Sequence, residues 1–272
     1  MVITYILSCI RIRTKPCKYF QLNSPLFNGK EGIFSKIEID ELIPSEWRLQ
    51  QQYDDGRFEP TAWPVFVKPE WGQNAAGIQR ADDLASLNRI RKENADEKIR
   101  FLIQQGAPES REFEVFALRH HADKSKYSIF SITEAVNHSE RDPVNSITNP
   151  GTEYVEITEK FSEDQLQAIW RLVNRIGNFN ISRTSFRADS IEDLVAGKFH
   201  VIEVNLFVPM PIHMLDSRYS VKDIISMVLR YMMRLALITK ARDKTLPEKP
   251  VFTKIMLYNR TSPVLNFLRS KI

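Results

Sequence analysis

The segment His200–Phe207 (HVIEVNLF) constrains this chain most, because it sets polar groups into an otherwise apolar strand. Successive side chains of a strand point to opposite faces of a sheet. Alternation therefore predicts that Val201, Glu203 and Asn205 share one face. The other face is predicted to carry Ile202, Val204 and Leu206. An acid and an amide on one face of such a strand indicate a polar site.

The preceding predicted strand, Arg183–Asp189 (RTSFRAD), has a polar face of its own, formed by every second residue from Arg183. If the two strands pair as a hairpin, Asp189 can lie beside Glu203 or Asn205, because cross-strand neighbours lie about 4.5–5.5 Å apart. Carboxylate and amide oxygens are ligands that Mg²⁺ prefers, and Arg187 could neutralise phosphate. For either strand alone, an exposed hairpin with an ordinary salt bridge is the simpler interpretation.

A second motif lies in Val65–Ile78 (VFVKPEWGQNAAGI), where Lys68 ends a short apolar strand before the small-residue loop Gly72–Gly77. Lysine is a compact phosphate-binding charge, and glycine lets backbone N–H groups approach phosphate closely. The spacing differs from that of a P-loop. A solvated lysine before a turn is the alternative, since lysine is mostly exposed in proteins.

A third motif is the segment Phe101–Phe116 (FLIQQGAPESREFEVF). An apolar strand ends at Gln104 and Gln105, a Gly-Pro-containing turn follows, and the next strand begins near Glu112. The backbone of such a crossing could bind a flat ligand. A plain connection between two subdomains explains the segment equally well.

Taken in order, these motifs resemble the ATP-grasp superfamily, and most closely the catalytic region of the D-alanine–D-alanine ligase type, from about Trp63 to Pro211. The resemblance implies an α+β fold in which two α+β subdomains grip ATP. It also implies ATP and Mg²⁺ as cofactors. The expected reaction is an ADP-forming ligation of a carboxylate to an amine or a thiol through an acyl phosphate.

The resemblance further implies how the nucleotide is bound. Lys68 would contact the α- and β-phosphates, and the lid over the phosphates would consist of Gly72, Gln73, Asn74, Ala75, Ala76 and Gly77. The backbone that reads adenine would be that of Ile103, Gln104, Gln105 and Gly106. Glu112 would bind ribose.

For the chemical step, the resemblance makes Arg187 the residue that stabilises the tetrahedral oxyanion. The Mg²⁺ ligands would be Asp189, Glu203 and Asn205. The family's second phosphate-binding lysine has no matching context among Lys124, Lys126 and Lys160. A non-catalytic ATP-binding regulatory or partner subunit therefore remains an alternative. A phosphotransferase on the same scaffold is a second alternative. The identities of the acid and the amine are left open, and the segment LFVPMPIH after Asn205 disfavours D-alanyl-D-alanine as the product.

The numbers of charged residues and cysteines limit the kinds of ligand and partner that the chain can bind. The 38 basic residues are interleaved with 34 acidic ones, giving a net charge of +4, whereas nucleic-acid binders usually concentrate their positive charge in a patch. We expect a small anionic ligand and no nucleic-acid partner. The two cysteines, Cys9 and Cys17, are too few for a disulfide framework or a cysteine-based zinc site.

The chain is predicted to divide into an N-terminal region with a linker (1–60), an ATP-grasp domain (61–240) and a C-terminal tail (241–272). The apolar run Val2–Ile10 reads as a core strand and lacks signal-peptide features. Capping boxes at Ser162 and Ser220 predict two helices, of which the second, Val221–Ile238, is amphipathic and interrupted by charges. We expect a cytoplasmic protein without membrane contact, and this helix could serve a homodimer or a partner subunit.

Overall fold

The computed structural model describes residues 1–72, 75–97, 99–139 and 144–261, with the side chains of residues 260 and 261 excepted. Within these ranges the chain forms two antiparallel sheets. The four-stranded sheet has the order β1-β4-β2-β3 and is formed by β1 (Gln51–Tyr53), β2 (Val65–Pro69), β3 (Gln79–Ala81) and β4 (Phe101–Gln105). The five-stranded sheet has the order β7-β6-β5-β8-β9 and is formed by β5 (Arg111–Arg119), β6 (Tyr127–Asn137), β7 (Thr152–Glu156), β8 (Ile181–Ala188) and β9 (His200–Asn205).

Seven α-helices accompany these sheets in the described ranges, so the predicted α+β class is confirmed. They are α1 (Val2–Arg11), α2 (Lys36–Asp40), α3 (Leu84–Glu93), α4 (Glu163–Ile176), α5 (Ile191–Ala196), α6 (Val221–Ala241) and α7 (Val251–Thr261). The predicted capping boxes start α4 and α6: Ser162 and Ser220 each accept from a backbone N–H in the first helical turn.

The prediction of a strand at Val2–Ile10 is wrong, because this segment is the helix α1. Its buried residues are Tyr5, Ser8 and Cys9, at positions i, i+3 and i+4. This spacing places them on one face of the helix, which packs against α6. A short apolar run cannot be assigned to helix or strand from its periodicity alone. Among the helices that the structure describes, none is long and apolar enough to span a membrane.

The main core lies between one face of the five-stranded sheet and α4. Phe113, Phe186 and Trp170 are buried there, together with side chains from the N-terminal region such as Phe27 and Trp47. β1 also precedes residue 60, yet it pairs with β4 inside the four-stranded sheet. The residues before 60 are therefore packed into the structure that positions the site.

The C-terminal segment contributes to the same core. Val251 and Ile255 of α7 are 1% exposed and belong to the main apolar cluster. Trp71 donates from Nε1 to Asn259 Oδ1 at 2.9 Å, which ties α7 to the end of β2. The segment that was predicted only as a tail thus contains a packed helix.

A β-bulge in β9 changes the predicted distribution of side chains between the two faces. Ser185 pairs with Glu203 but Phe186 pairs with Val201, so the register shifts by one residue at Ile202. Val201 therefore joins Val204 in the core, and Ile202 lines the cleft with Glu203. The prediction that Val201 shares a face with Glu203 is wrong, because strict alternation does not hold across an extra residue.

Candidate functional site

A cleft of about 410 Å³ opens between the two sheets, a volume within the range of small-molecule sites. Its walls come from β2 and β4 on one side and from β5, β8 and β9 on the other. The described lining residues include five cations, namely Lys36, Lys68, Arg80, Arg183 and Arg187. Three carboxylates also line it, from Glu112, Glu114 and Glu203. The described lining therefore carries an excess of positive charge, which favours an anionic ligand.

Lys68 is only 4% exposed, although it carries an ammonium group. Its Nζ donates to Gln104 Oε1 at 2.9 Å and lies 3.5 Å from the carbonyl oxygen of Ile202, at the bulge in β9. Burial lowers the pKa of Lys68 to about 8, and the neighbouring Lys36 acts in the same direction. Lys68 is thus a poorly compensated cation that an anionic group in the cleft would stabilise.

Glu203 and Asn205 lie side by side on β9, as predicted, and Asn205 Nδ2 donates to Glu203 Oε2 at 3.3 Å. Lys36 Nζ lies 3.3 Å from Glu203 Oε1. Burial raises the pKa of Glu203, but the positive charges of Lys36, Lys68 and Arg183 outweigh burial and hold the pKa below its usual value. Glu203 is therefore a carboxylate at neutral pH and can serve as a cation ligand.

Arg187 lines the cleft and pairs with Glu112, with 3.0 Å between Nη2 and Oε2. Asn145 Nδ2 also donates to Glu112 Oε2, at 3.0 Å. Two residues earlier on β8, Ser185 donates to Glu114 Oε1 at 2.7 Å. Arg183 lies 3.2 Å from Glu114 Oε2 through its Nε. Each of the two arginines on the β8 face thus lies next to a carboxyl group of β5.

Asp189 does not lie beside Glu203 or Asn205, so that geometric expectation is wrong. The register pairs Glu203 with Ser185 and Asn205 with Arg183. Asp189 is four residues beyond Ser185, roughly 13 Å along an extended strand. There Asp189 Oδ1 accepts from the backbone N–H of Ser110 at 3.0 Å, which holds the connection before β5.

The residues predicted to form the lid and to bind adenine lie only partly in the cleft. Those that line it are Gly72, Ala75, Ala76, Gln104, Gln105 and Gly106. Gly77 and Ile103 are described residues that lie outside its lining, and Ile103 instead packs beneath the four-stranded sheet. Gln73 and Asn74 lie outside the described residues. Gly106 is required where it stands, because a Cβ atom would approach the Pro64 carbonyl oxygen to 2.9 Å.

Sequence reasoning missed Lys36 and Arg80 as parts of the site. Lys36 begins α2, far from the motifs in sequence, and reaches the cleft because α2 packs against β9. No local pattern could have shown this contact. Arg183 and Ser185 were visible as members of the polar face of β8, but only the strand register shows that they are the partners of Asn205 and Glu203.

The pKa of Glu112 supplies a test of the site's electrostatics. Burial raises this pKa to about 7, although Arg187 opposes the shift. The folded state then holds the proton more tightly than the unfolded state, so stability falls as pH rises from about 4.5 to 7. We expect Glu112→Gln to remove a loss of roughly 2–3 kcal/mol across this window, measured by urea unfolding at pH 5 and pH 7.5.

The exposed Glu59 supplies the matched control. The stability of a Glu59→Gln variant should depend on pH in the same way as that of the wild-type protein. An equal loss of stability in the Glu112→Gln variant and the wild type would show that Glu112 titrates normally.

Comparison with solved structures finds similarity to amino-acid ligases. An L-amino acid ligase from Bacillus licheniformis is 17% identical, with a TM-score of 0.49, over 80% of this chain and 50% of that one. D-alanine–D-alanine ligase from Helicobacter pylori is 13% identical, with a TM-score of 0.45, over 78% of this chain and 59% of that one. D-alanine–D-alanine ligase from Bacillus anthracis is 12% identical, with a TM-score of 0.48, over 76% and 66%.

Two of these three proteins are ligases of the type that the sequence resembles. The chain spans between half and about two thirds of their lengths. No protein-family model and no curated protein sequence matches it. Identities below 20% and TM-scores below 0.5 assign no activity to the chain, so its function has to be inferred from its own residues.

Proposed function

We propose that the chain binds ATP with Mg²⁺ in the cleft between its two sheets and uses it to ligate a carboxylate to an amine or a thiol. The observation that supports this most is the charge arrangement of the cleft. Cations line both of its walls, and three of them, Lys36, Lys68 and Arg183, act on the carboxylate of Glu203. Glu203 and its neighbour Asn205 offer oxygen ligands. A polyphosphate needs cations of this kind, and a magnesium ion bound to it needs one or two protein oxygens.

The cleft offers two oxygen ligands for such an ion but lacks the second carboxylate that was predicted. Glu203 is ionised and its neighbour Asn205 offers an amide oxygen, while Ser185 stands where a second carboxylate was expected. Mg²⁺ keeps several water ligands and is often bound by few carboxylates together with substrate phosphates. In the proposal, Glu203 and Asn205 hold the ion and Lys68 contacts the phosphates.

ATP supplies the phosphoryl group that activates the acid. A substrate carboxylate oxygen would attack the γ-phosphorus as its bond to ADP breaks, giving an acyl phosphate. The amine or thiol would then attack the acyl carbon, and phosphate would leave as the nucleophile loses its proton. Arg187 and Arg183 lie on the wall where the negative charge of the tetrahedral oxygen would develop, and preorganised cations there would lower the barrier.

Hydroxylamine gives a direct assay, because it is a small amine that captures acyl phosphates as hydroxamates. We expect ADP and hydroxamate to form together when the full chain is incubated with Mg-ATP, hydroxylamine and a carboxylic acid. Both products should disappear when the acid is left out. Acid-dependent ADP formation that yields no hydroxamate would contradict ligation and indicate phosphoryl transfer to another group.

A second candidate is a non-catalytic ATP-binding subunit. It is favoured by Ser185, which stands opposite Glu203 where a second carboxylate was expected. In that case Mg-ATP would bind and stay intact with every acid.

A further inference from the structure

A second cavity of about 270 Å³ lies on the same face of the five-stranded sheet as the cleft. α1 and α6 cover it, and its lining is almost entirely apolar. Phe116 of β5 and Ile181 of β8 form its floor, and Ile6, Met210 and Met232 contribute to its sides. No residue of the proposed nucleotide site lies among these.

The cavity and the cleft lie next to each other along two strands. On β5, Glu114 lines the cleft and Phe116, two residues further, lines the cavity. On β8, Arg183 lines the cleft and Ile181 lines the cavity. Residues two apart on a strand share a face and are separated by roughly 7 Å. The cavity therefore begins one side chain beyond the cleft.

Arg183 lies at the junction of the two spaces. Its Nη1 is 3.5 Å from the carbonyl oxygen of Met210, which lines the cavity. Its Nε is 3.2 Å from Glu114 Oε2, but this ion pair lacks hydrogen-bond geometry. After β9 the chain forms the wall between the spaces, with Pro211 facing the cavity and Ile212 facing the cleft.

Two of the three tyrosines that line the cavity, Tyr5 and Tyr231, have hydroxyl groups that are hydrogen-bonded within the protein. Tyr5 Oη is hydrogen-bonded to Thr239 Oγ1 at 3.0 Å and donates to the carbonyl oxygen of Pro16 at 3.2 Å. Tyr231 Oη is hydrogen-bonded to His213 Nε2 at 3.1 Å. Both tyrosines therefore present ring surface to the cavity. A ligand without hydrogen-bonding groups suits such a lining, because any polar group there would lose its hydration without a partner.

We propose that this cavity binds the alkyl or aryl chain of the carboxylic acid that the cleft activates, with the carboxylate directed toward Arg183. The inference rests on the proposed function, since the cleft supplies the activation. An apolar cavity of about 150 Å³ accepts benzene, so 270 Å³ accommodates a larger apolar group, such as a medium-length alkyl chain or an aromatic ring with a short spacer.

Cys17 provides a built-in reporter of occupancy. It is exposed and lines the cavity, whereas Cys9, the other cysteine of the chain, is 0% exposed. A thiol reagent such as a maleimide should therefore label Cys17 first. A ligand in the cavity would shield this thiol, and the labelling rate would measure binding.

The experiment titrates butyrate, hexanoate, octanoate and decanoate against the rate of Cys17 labelling in the full chain. We expect protection that tightens about fourfold for each added methylene, as burial of a CH₂ group predicts, until the cavity is full. Protection independent of chain length, or absent with all four acids, would overturn the proposal.

Two variants on α1 distinguish binding in the cavity from binding to the exposed surface nearby. Ile6→Asp places a charge in the lining, whereas Ile3→Asp places the same charge on the exposed side of the helix, where Ile3 is 74% exposed. We expect Ile6→Asp to weaken decanoate binding at least about tenfold and Ile3→Asp to leave it unchanged. Equal effects of the two variants would mean that the acids bind to the exposed apolar surface instead.

Mg-ATP binding, measured separately, keeps the two proposals distinguishable. Mg-ATP binding without protection by any acid would overturn the cavity assignment and leave the proposed nucleotide site intact. Chain-length-dependent protection without Mg-ATP binding would overturn the proposed function. Protection that increases with protein concentration in the absence of acid would identify a second copy of the chain as the occupant and overturn the proposal.

Discussion

Replacing Lys68 by methionine is expected to weaken ATP binding roughly 30- to 1,000-fold, equivalent to about 2–4 kcal/mol. Lys68 is buried beside Gln104 and its pKa is lowered to about 8 by burial, so its positive charge lacks full compensation in the free protein. Phosphate oxygens would supply that compensation. Methionine has a similar length and no charge, so it removes this interaction while retaining much of the packing.

The folded state should tolerate this change, since a buried ammonium with a lowered pKa costs free energy at neutral pH. Lys92 is exposed on α3, and Lys92→Met is the matched control. Thermal unfolding of both variants establishes that they are folded, and titration calorimetry gives their affinities for ATP. Unchanged ATP affinity in a folded Lys68→Met variant would place the nucleotide elsewhere.

The second large effect concerns the cation. Glu203→Gln should reduce the enhancement of ATP affinity by Mg²⁺ at least about tenfold, because losing even a residue that supports a metal ligand costs 10- to 100-fold in affinity. In chelator the same variant should bind ATP as well as the wild type or better. Binding in chelator should not weaken because the variant removes a negative charge from the cleft, 3.3 Å from Lys36, and ATP is itself negatively charged.

Asp189→Asn is the matched control for this substitution. Sequence resemblance made Asp189 a Mg²⁺ ligand, but the structure places it at the end of β8, where it accepts from Ser110. We therefore expect Asp189→Asn to keep the Mg²⁺ enhancement. Titrations with Mg²⁺ and with chelator for both variants decide the point, and a loss caused by Asp189→Asn alone would reverse the assignment.

Much of the fold follows from short-range patterns. The capping boxes at Ser162 and Ser220 mark helix starts because side chains and backbone of the same turn satisfy each other. The polar face of β8 follows from strand alternation, and Arg183 and Arg187 indeed both line the cleft. These predictions depend only on neighbours within a few residues.

The incorrect predictions concern features that depend on contacts between residues far apart in the sequence. The bulge at Ile202 moves Val201 into the core. The sequence of β9 contains no pattern that predicts this extra residue. The register of β9 also substitutes Ser185 for Asp189 as the neighbour of Glu203. Lys36 joins the site through the packing of α2 on β9. A site built from separate chain segments needs the tertiary structure before its members can be named.

Titration calorimetry of ATP into the full chain, once with excess Mg²⁺ and once with chelator, tests the central claim most directly. The charge arrangement around Lys68, Glu203 and Asn205 predicts saturable binding at a single site that is tighter with Mg²⁺. Binding that is equally strong in both conditions would contradict the assignment of Glu203 and Asn205 to the cation. The absence of saturable binding in either condition would contradict the nucleotide site itself.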